Sequence, residues 1–156
     1  VFVRAMEPLD LHRIRIEQAA LPGWRDQGAA MLAAGPCWAA VRGGQVLALA
    51  GLVLHWRGRA SCWCLIGADF PTTGWVWLTK QVRHRMGAAI RELGLHRVEA
   101  EALTGWAPGR RWLLLLGFEH EGAMRAYGHD GSSYDRWAKL AGSAIGARGA
   151  EGHSDG

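Results

Sequence analysis

Residues 74 to 94, GWVWLTKQVRHRMGAAIRELG, place apolar side chains every three or four positions, at Trp75, Leu78, Val82, Met86, Ile90 and Leu93. That spacing gathers them on one stripe of a helix and leaves Lys80, Arg83, His84 and Arg91 outside it, in water. Thr72 or Thr73 is placed to cap the helix start, and Gly94 to end it. Strand-like segments flank the run, ASCWCLIGAD (60–69) before it and HRVEAEAL (96–103) after it. A long helix between two strands returns the second parallel to the first, because antiparallel neighbours need only a short turn. The chain therefore contains a parallel crossover.

The other segments read as antiparallel. VFVRAM (1–6) alternates as a first strand, and Pro8 opens a short helix that runs to about Ile14. PGWRDQGAAMLAAG (22–35) reads as a second helix, closed by Gly35-Pro36. CWAAV, the turn RGG and QVLALAGLVLHW form a hairpin, and a second turn, RGR, leads into the strand that precedes the crossover. After the crossover come the turn TGWAPG, the helix RRWLLLL (110–116), the strand FEHEGAMRAY, the turn GHDG and the strand SSYDRWAKL. Gly117 supplies the left-handed residue that ends the last helix, and Phe118 folds back onto it. The order is β α α β β β α β α β β, a mostly antiparallel α+β sheet with one parallel pair. Residues 1–140 form one domain, and the small, polar segment 141–156 is expected to be disordered.

At 156 residues, 49% apolar and 21% charged, the chain has the composition of a globular protein with a real core. It has no apolar run of membrane-spanning length and no signal pattern, so a cytoplasmic location is expected, with no membrane partner. Cys37, Cys62 and Cys64 are an odd set without a disulfide framework, and a reducing compartment suits them. Cys62 and Cys64 share a strand face near His55, but no further ligands complete a metal site, and they read as buried small hydrophobes. The net charge of +4 attracts anions weakly. With only two lysines and no basic block longer than two, nucleic acid is disfavoured as a partner. The nine tryptophans read as core filler whose indole N–H groups find carbonyls. His120, His129, Asp130 and Asp135 gather on the last hairpin without a nucleophile, which gives a hydrolase triad no support. Arg125 and Tyr127 are expected on the sheet's outer face.

The segment LGFEHEGAMRAYGHDGSSYD, with its Leu-Gly-Phe helix end, Glu-Gly-x-x-Arg and a later Asp-Gly, resembles the GNAT superfamily of acyl-CoA-dependent N-acyltransferases. The resemblance covers residues 1–140 and is motif-specific from about residue 96. GPCWAAVRGGQVLALAGLVLHWRGRASCWCLIG with GRRWLLLLGFE is further similar to small GNAT-like proteins of tailed phages and prophages, some of them internal virion proteins. The resemblance implies a three-layer α/β arrangement in which the fourth and fifth strands splay apart. It implies acetyl-CoA as co-substrate, no metal, and a small-molecule or peptide amine as acceptor. The pantetheine arm would lie on the backbone of Leu65, Ile66 and Gly67. The pyrophosphate would lie on the N–H groups of Thr73, Gly74 and Trp75, where a helix start favours an anion.

Within that resemblance the residues leave two readings open. The loop DFPTTGWVWL carries one glycine and no arginine where the family has a Gly-rich phosphate loop. Leu113 stands where many members place a proton-returning Tyr, and Ala107 and Arg110 replace the usual Asn and Ser/Ala. Arg110 reads either as a phosphate contact or as part of a solvated helix end. Glu99 and Glu101 alternate on one strand face, Glu101 nearer the C-terminal end; they are candidate general bases or part of a solvated face. A lysine is neutral in roughly one molecule in 2,000 at pH 7 and an α-amine in about a tenth, so a weak base favours a low-pKa amine. The chain is thus read as an N-acetyltransferase using direct transfer, or as a non-catalytic, virion-associated binding protein. The enzyme reading requires that Trp63, Trp75 and Trp77 leave the gap between the splayed strands open.

Overall fold

The structure, a computed structural model, describes residues 1–17 and 23–142. The tail expected to be disordered lies outside them from residue 143 onward, as does the start of the expected helix 22–35. The elements run β1 (Phe2–Ala5), α1 (Asp10–Arg13), α2 (Gly28–Ala34), β2 (Cys37–Arg42), β3 (Gln45–Trp56), β4 (Arg59–Ile66), α3 (Trp75–Glu92), β5 (Arg97–Leu103), α4 (Ala107–Leu116), β6 (Glu119–Met124) and β7 (Tyr134–Leu140). The seven strands form one sheet in the order β1-β2-β3-β4-β5-β7-β6. Every neighbouring pair is antiparallel except β4 and β5, which α3 joins in parallel.

Alternation along the strands sends apolar side chains to both faces, and helices cover each. Beneath α3 and α4 lie Leu52, Ala60, Val98, Ala100, Ala102 and Trp137, packed on Met86, Ala89, Leu113, Leu116 and Phe118. On the opposite face Cys37, Ala39, Val41 and Leu49 pack against Leu11 and Ile14, with Met31, Leu32, Trp63 and Leu65 at the margin. Two helical layers around one sheet make the three-layer arrangement. Asp10, wholly buried, ties α1 to the sheet by accepting two bonds from the Arg4 guanidinium at 2.7 and 2.8 Å and one from the Glu7 N–H at 2.8 Å.

Gly117 ends α4 at φ 86°, and the Phe118 N–H reaches the Leu113 carbonyl at 3.0 Å. The turn drops the Phe118 ring into the core, where it is 2% exposed; burying it contributes about 2–3 kcal/mol. Elsewhere the boundaries differ from the sequence reading. Trp24–Gln27 form a tight 3-10 turn ahead of α2, following left-handed Gly23. No threonine side chain caps α3; Thr72–Gly74 make a 3-10 turn instead. The strand read as 60–69 stops at Ile66, because a turn closes from the Phe70 N–H to the Gly67 carbonyl at 3.0 Å. The strand read as 118–127 stops at Met124, so Arg125 and Tyr127 leave the sheet, and Ala126 takes φ 51°.

The tryptophans are not uniformly core filler. Only Trp137 is fully buried, while Trp56, Trp75 and Trp106 are exposed. The Trp112 Nε1 donates to a hydroxyl, that of Thr79, at 2.9 Å, and those of Trp63 and Trp137 are buried without a protein partner. Among the described residues no helix is long and apolar enough to cross a membrane.

Candidate functional site at the splayed strand pair

β4 and β5 pair over only three residues, Arg59 with Arg97, Ala60 with Val98 and Ser61 with Glu99. β4 then continues to Ile66 and β5 to Leu103 with no ladder between them. An ion cluster pins the closed end of this V. The Glu99 carboxylate on β5 accepts from Arg59 of β4 at 2.7 and 3.0 Å and from Arg97 at 2.6 Å. Arg97 passes the chain on to Glu121 of β6. The Arg59 guanidinium, with Arg97 beside it, holds the Glu99 carboxyl down to about 2. This corrects the reading of Glu99 as a base or a solvated residue. It is 6% exposed, its oxygens are committed to arginines, and it has no tendency to take a proton near neutral pH.

The open part of the V leads into a cavity of about 200 Å³ under α3 and α4. Cys62, Cys64 and Ile66 of β4 and Ala100 and Ala102 of β5 form its rim, and Leu78, Val82, Met86, Trp112 and Leu113 its roof. Gln81, Arg85 and Glu101 are the polar and charged side chains among its lining residues. Burial pushes the Cys62 and Cys64 thiols up to about 12, so they are inert apolar wall at neutral pH. His55 bonds the Ser61 hydroxyl at 2.7 Å, and no cluster of three metal-ligating side chains occurs among the described residues.

The register of β3 on β4 decides which backbone groups face the gap. The Gly67 N–H donates to the Leu47 carbonyl at 2.8 Å, so that pair is bonded across the β3–β4 ladder. With Ile66 opposite Ala48 and Leu65 opposite Leu49, antiparallel alternation turns Leu65 toward β3 as well and aims Cys64 and Ile66 at the gap. Of Leu65, Ile66 and Gly67, therefore, only Ile66 presents free backbone there. Cys64 joins it; sequence reasoning missed it because pairing parity depends on the register of β4 against β3.

At the start of α3 the first bond runs from the Gly74 N–H to the Pro71 carbonyl at 2.8 Å, leaving the Thr72 and Thr73 amides ahead of it without intrahelical partners. Gly74 is in ordinary helical conformation, and a Cβ there would sit 2.9 Å from the Phe70 ring. Its small size serves that aromatic contact. Trp75 lines the cavity wall, edge-on to Trp112 at 5.6 Å and to Phe70 at 5.5 Å. Trp63 packs on the far face with its ring against Gly51, and Trp77 packs with Phe70 beside Leu78. The cavity stays open with Trp75 as part of its wall. Arg110 is exposed in the first turns of α4, its N–H bonded to the Trp106 carbonyl at 3.1 Å.

Glu101 lies two residues past the clamp, lines the cavity and is 37% exposed. The Tyr127 hydroxyl donates to its Oε1 at 2.8 Å, and Arg136 lies 3.8 Å from the same oxygen. Tyr127 reaches it from the β6–β7 turn, where the Ala126 N–H bonds the Ser133 hydroxyl at 3.3 Å. The pair was invisible in the sequence, where Tyr127 appeared to extend a strand.

Superposed on solved structures, the chain matches acetyltransferases over about nine-tenths of its length, one of them described as of the GNAT family. This is the GNAT fold. A Vibrio fischeri ribosomal-protein-S5-alanine acetyltransferase aligns with a TM-score of 0.71 at 13% identity, over 90% of this chain and 93% of that one. An N-acetyltransferase from Staphylococcus aureus Mu50 aligns with a TM-score of 0.73 at 15% identity, over 89% and 97%. A GNAT-family acetyltransferase from Streptococcus pneumoniae aligns with a TM-score of 0.68 at 14% identity, over 89% and 98%. By sequence, no protein-family model and no curated protein matches. At these identities the likeness establishes the GNAT fold, and the chemistry has to be argued from the site.

Proposed function

We propose that the chain is an N-acetyltransferase that moves an acetyl group from acetyl-CoA directly to an amine. The observation that carries this reading is the unpaired stretch of β4 beside β5, which opens onto a cavity and has a hydrogen-bonded carboxylate, Glu101, at its margin. The free backbone groups of Cys64 and Ile66 suit an extended amide-bearing arm, and the Thr72 and Thr73 amides at the helix start suit phosphate. Arg110 is a candidate second phosphate contact. Glu101 would take the proton of the attacking amine, and its partly exposed setting suits an α-amine or small-molecule amine better than a lysine. Several structural neighbours act on amines, the ribosomal-protein-alanine and spermidine acetyltransferases among them, which agrees with this class without choosing within it.

A second reading is a non-catalytic GNAT-fold binding protein, associated with a phage virion. It is favoured by Leu113, which lines the cavity 8% exposed with no hydroxyl to offer a departing thiolate, and by Phe70, whose ring fills the space beside Gly74.

Thermal unfolding with acetyl-CoA separates the two. At 100 times its dissociation constant the co-substrate stabilises the fold by about 2.7 kcal/mol. No shift at millimolar acetyl-CoA rejects the enzyme reading; a shift, followed by loss of turnover in Glu101→Gln, supports it.

A further inference from the structure

The cavity extends beyond the gap between β4 and β5. From the rim at Cys62, Cys64 and Ala100 it continues beneath α3, past Ala50 and Ala48 of β3, to Ala40 and Trp38 of β2. Neighbouring strands lie about 4.8 Å apart, so this limb reaches on the order of 10 Å from β4. An arm lying along the β4–β5 gap leaves that limb unfilled. The direction is confirmed from α3. Thr79 faces α4 through its bond to Trp112, and Gln81 and Arg85, on the opposite side of the helix by helical periodicity, also line the cavity. The void passes under the helix from one side to the other.

Its floor is made of alanines where larger β-branched residues would close it. Ala40 and Ala48, 4% and 3% exposed, oppose Leu78, and Ala50 stands opposite Cys64 at the rim. Gap and limb together enclose about 200 Å³, against the roughly 150 Å³ of dry apolar cavity that suffices to bind benzene, so the space is on the scale of a short hydrocarbon chain. No charged side chain stands on the floor between the rim and β2.

Resting on the acyltransferase reading above, we propose that the donor site also takes acyl-CoAs longer than acetyl and holds them more tightly, their hydrocarbon tail occupying the limb over Ala50, Ala48 and Ala40. The reaction is unchanged in its balance. The amine nitrogen bonds the acyl carbon as the carbon–sulfur bond breaks, the sulfur leaves with the electron pair as CoA thiolate, and the proton lost by the amine passes through Glu101 to solvent, from which the thiolate is reprotonated. The tail takes no part in bond making; it sets which donor binds.

The test is a chain-length series with the intact protein, measuring the dissociation constants of CoA, acetyl-CoA, butyryl-CoA and hexanoyl-CoA by calorimetry. Each methylene buried strengthens binding about fourfold. Hexanoyl-CoA is therefore expected to bind at least tenfold more tightly than acetyl-CoA, and Ala48→Leu to reduce that ratio below threefold, with the affinity for CoA itself as the reference. If all four bind and chain length makes no difference, the tail site is rejected and the acyltransferase reading stands. If hexanoyl-CoA keeps its advantage in Ala48→Leu, the tail lies elsewhere and the proposal is equally rejected. If none binds, both readings fall together. Should Ala48→Leu not fold, Ala40→Val, at the far end of the same limb, makes the same test with the same two outcomes.

Discussion

The Tyr127 hydroxyl hydrogen-bonds the Glu101 carboxylate at 2.8 Å, joining the β6–β7 turn to the strand that borders the cavity. The bond occupies Oε1, and Arg136 lies 3.8 Å from the same atom, so Oε2 is the oxygen left to meet a proton. Glu101 raises the pKa of Tyr127, which keeps the phenol a donor at physiological pH.

Tyr127→Phe removes the donor while keeping the ring, whose edge contact with Tyr134 at 5.9 Å remains. If the chain transfers acyl groups as proposed, turnover should fall about tenfold through lost positioning of Glu101, with KM for acyl-CoA little changed. Steady-state kinetics check this, and an unchanged kcat would remove Tyr127 from any role in orienting the base.

Glu99→Gln tests the clamp at the closed end of the V. Removing one partner from a buried ion cluster leaves Arg59 and Arg97 uncompensated, and a loss of roughly 3 kcal/mol is expected in urea unfolding. The pH dependence has a definite sign. The folded pKa, about 2, lies below the ordinary value of 4.5, so the carboxylate's contribution is fully present above about pH 4.5 and fades as pH falls toward 2. The native chain should lose stability through that window more steeply than Glu99→Gln does; parallel curves would contradict the assignment.

Two glycine substitutions should move stability in opposite directions. Gly117→Ala places a Cβ at φ 86° and 2.9 Å from the Lys139 Nζ, which itself donates to the Leu116 carbonyl at 2.7 Å. A loss of about 1–2 kcal/mol is expected. Gly87→Ala lies inside α3, where the new methyl meets only Arg91 Nη1 at 3.5 Å, and a gain of about 0.5–1 kcal/mol is expected. Chemical unfolding of both variants provides the comparison.

Cys62 and Cys64 should resist thiol reagents in the folded protein. With their thiols pushed up to about 12 and Cys37 to about 11, almost no thiolate exists at pH 8. Ellman's reagent is expected to label all three only on unfolding, with acyl-CoA slowing any residual reaction at the cavity rim. Rapid native-state labelling of Cys64 would mean that the rim opens to solvent.

Much of the architecture was legible because it depends on periodicity and local chemistry. The stripe from Trp75 to Leu93 specifies a helix wherever it packs, and Gly117 before Phe118 specifies its own turn. The candidate site was less legible. Glu99 and Glu101 are indistinguishable by alternation, and only the placement of Arg59, forty residues earlier in the chain, separates a structural clamp from an available carboxylate. Likewise Gly74 looks like a phosphate-loop glycine until Phe70 is seen packed against it.

By itself, then, the sequence determined the elements, their order and the single parallel crossover, since apolar period, turn residues and helix stops act within a few residues. Only the tertiary structure decided where the β4–β5 ladder ends, which backbone groups face the gap, and that Tyr127 rather than a helix residue meets Glu101. Those outcomes depend on register and on contacts between residues far apart in the chain, and no local pattern encodes the parity of a strand pairing or the reach of a side chain across a sheet.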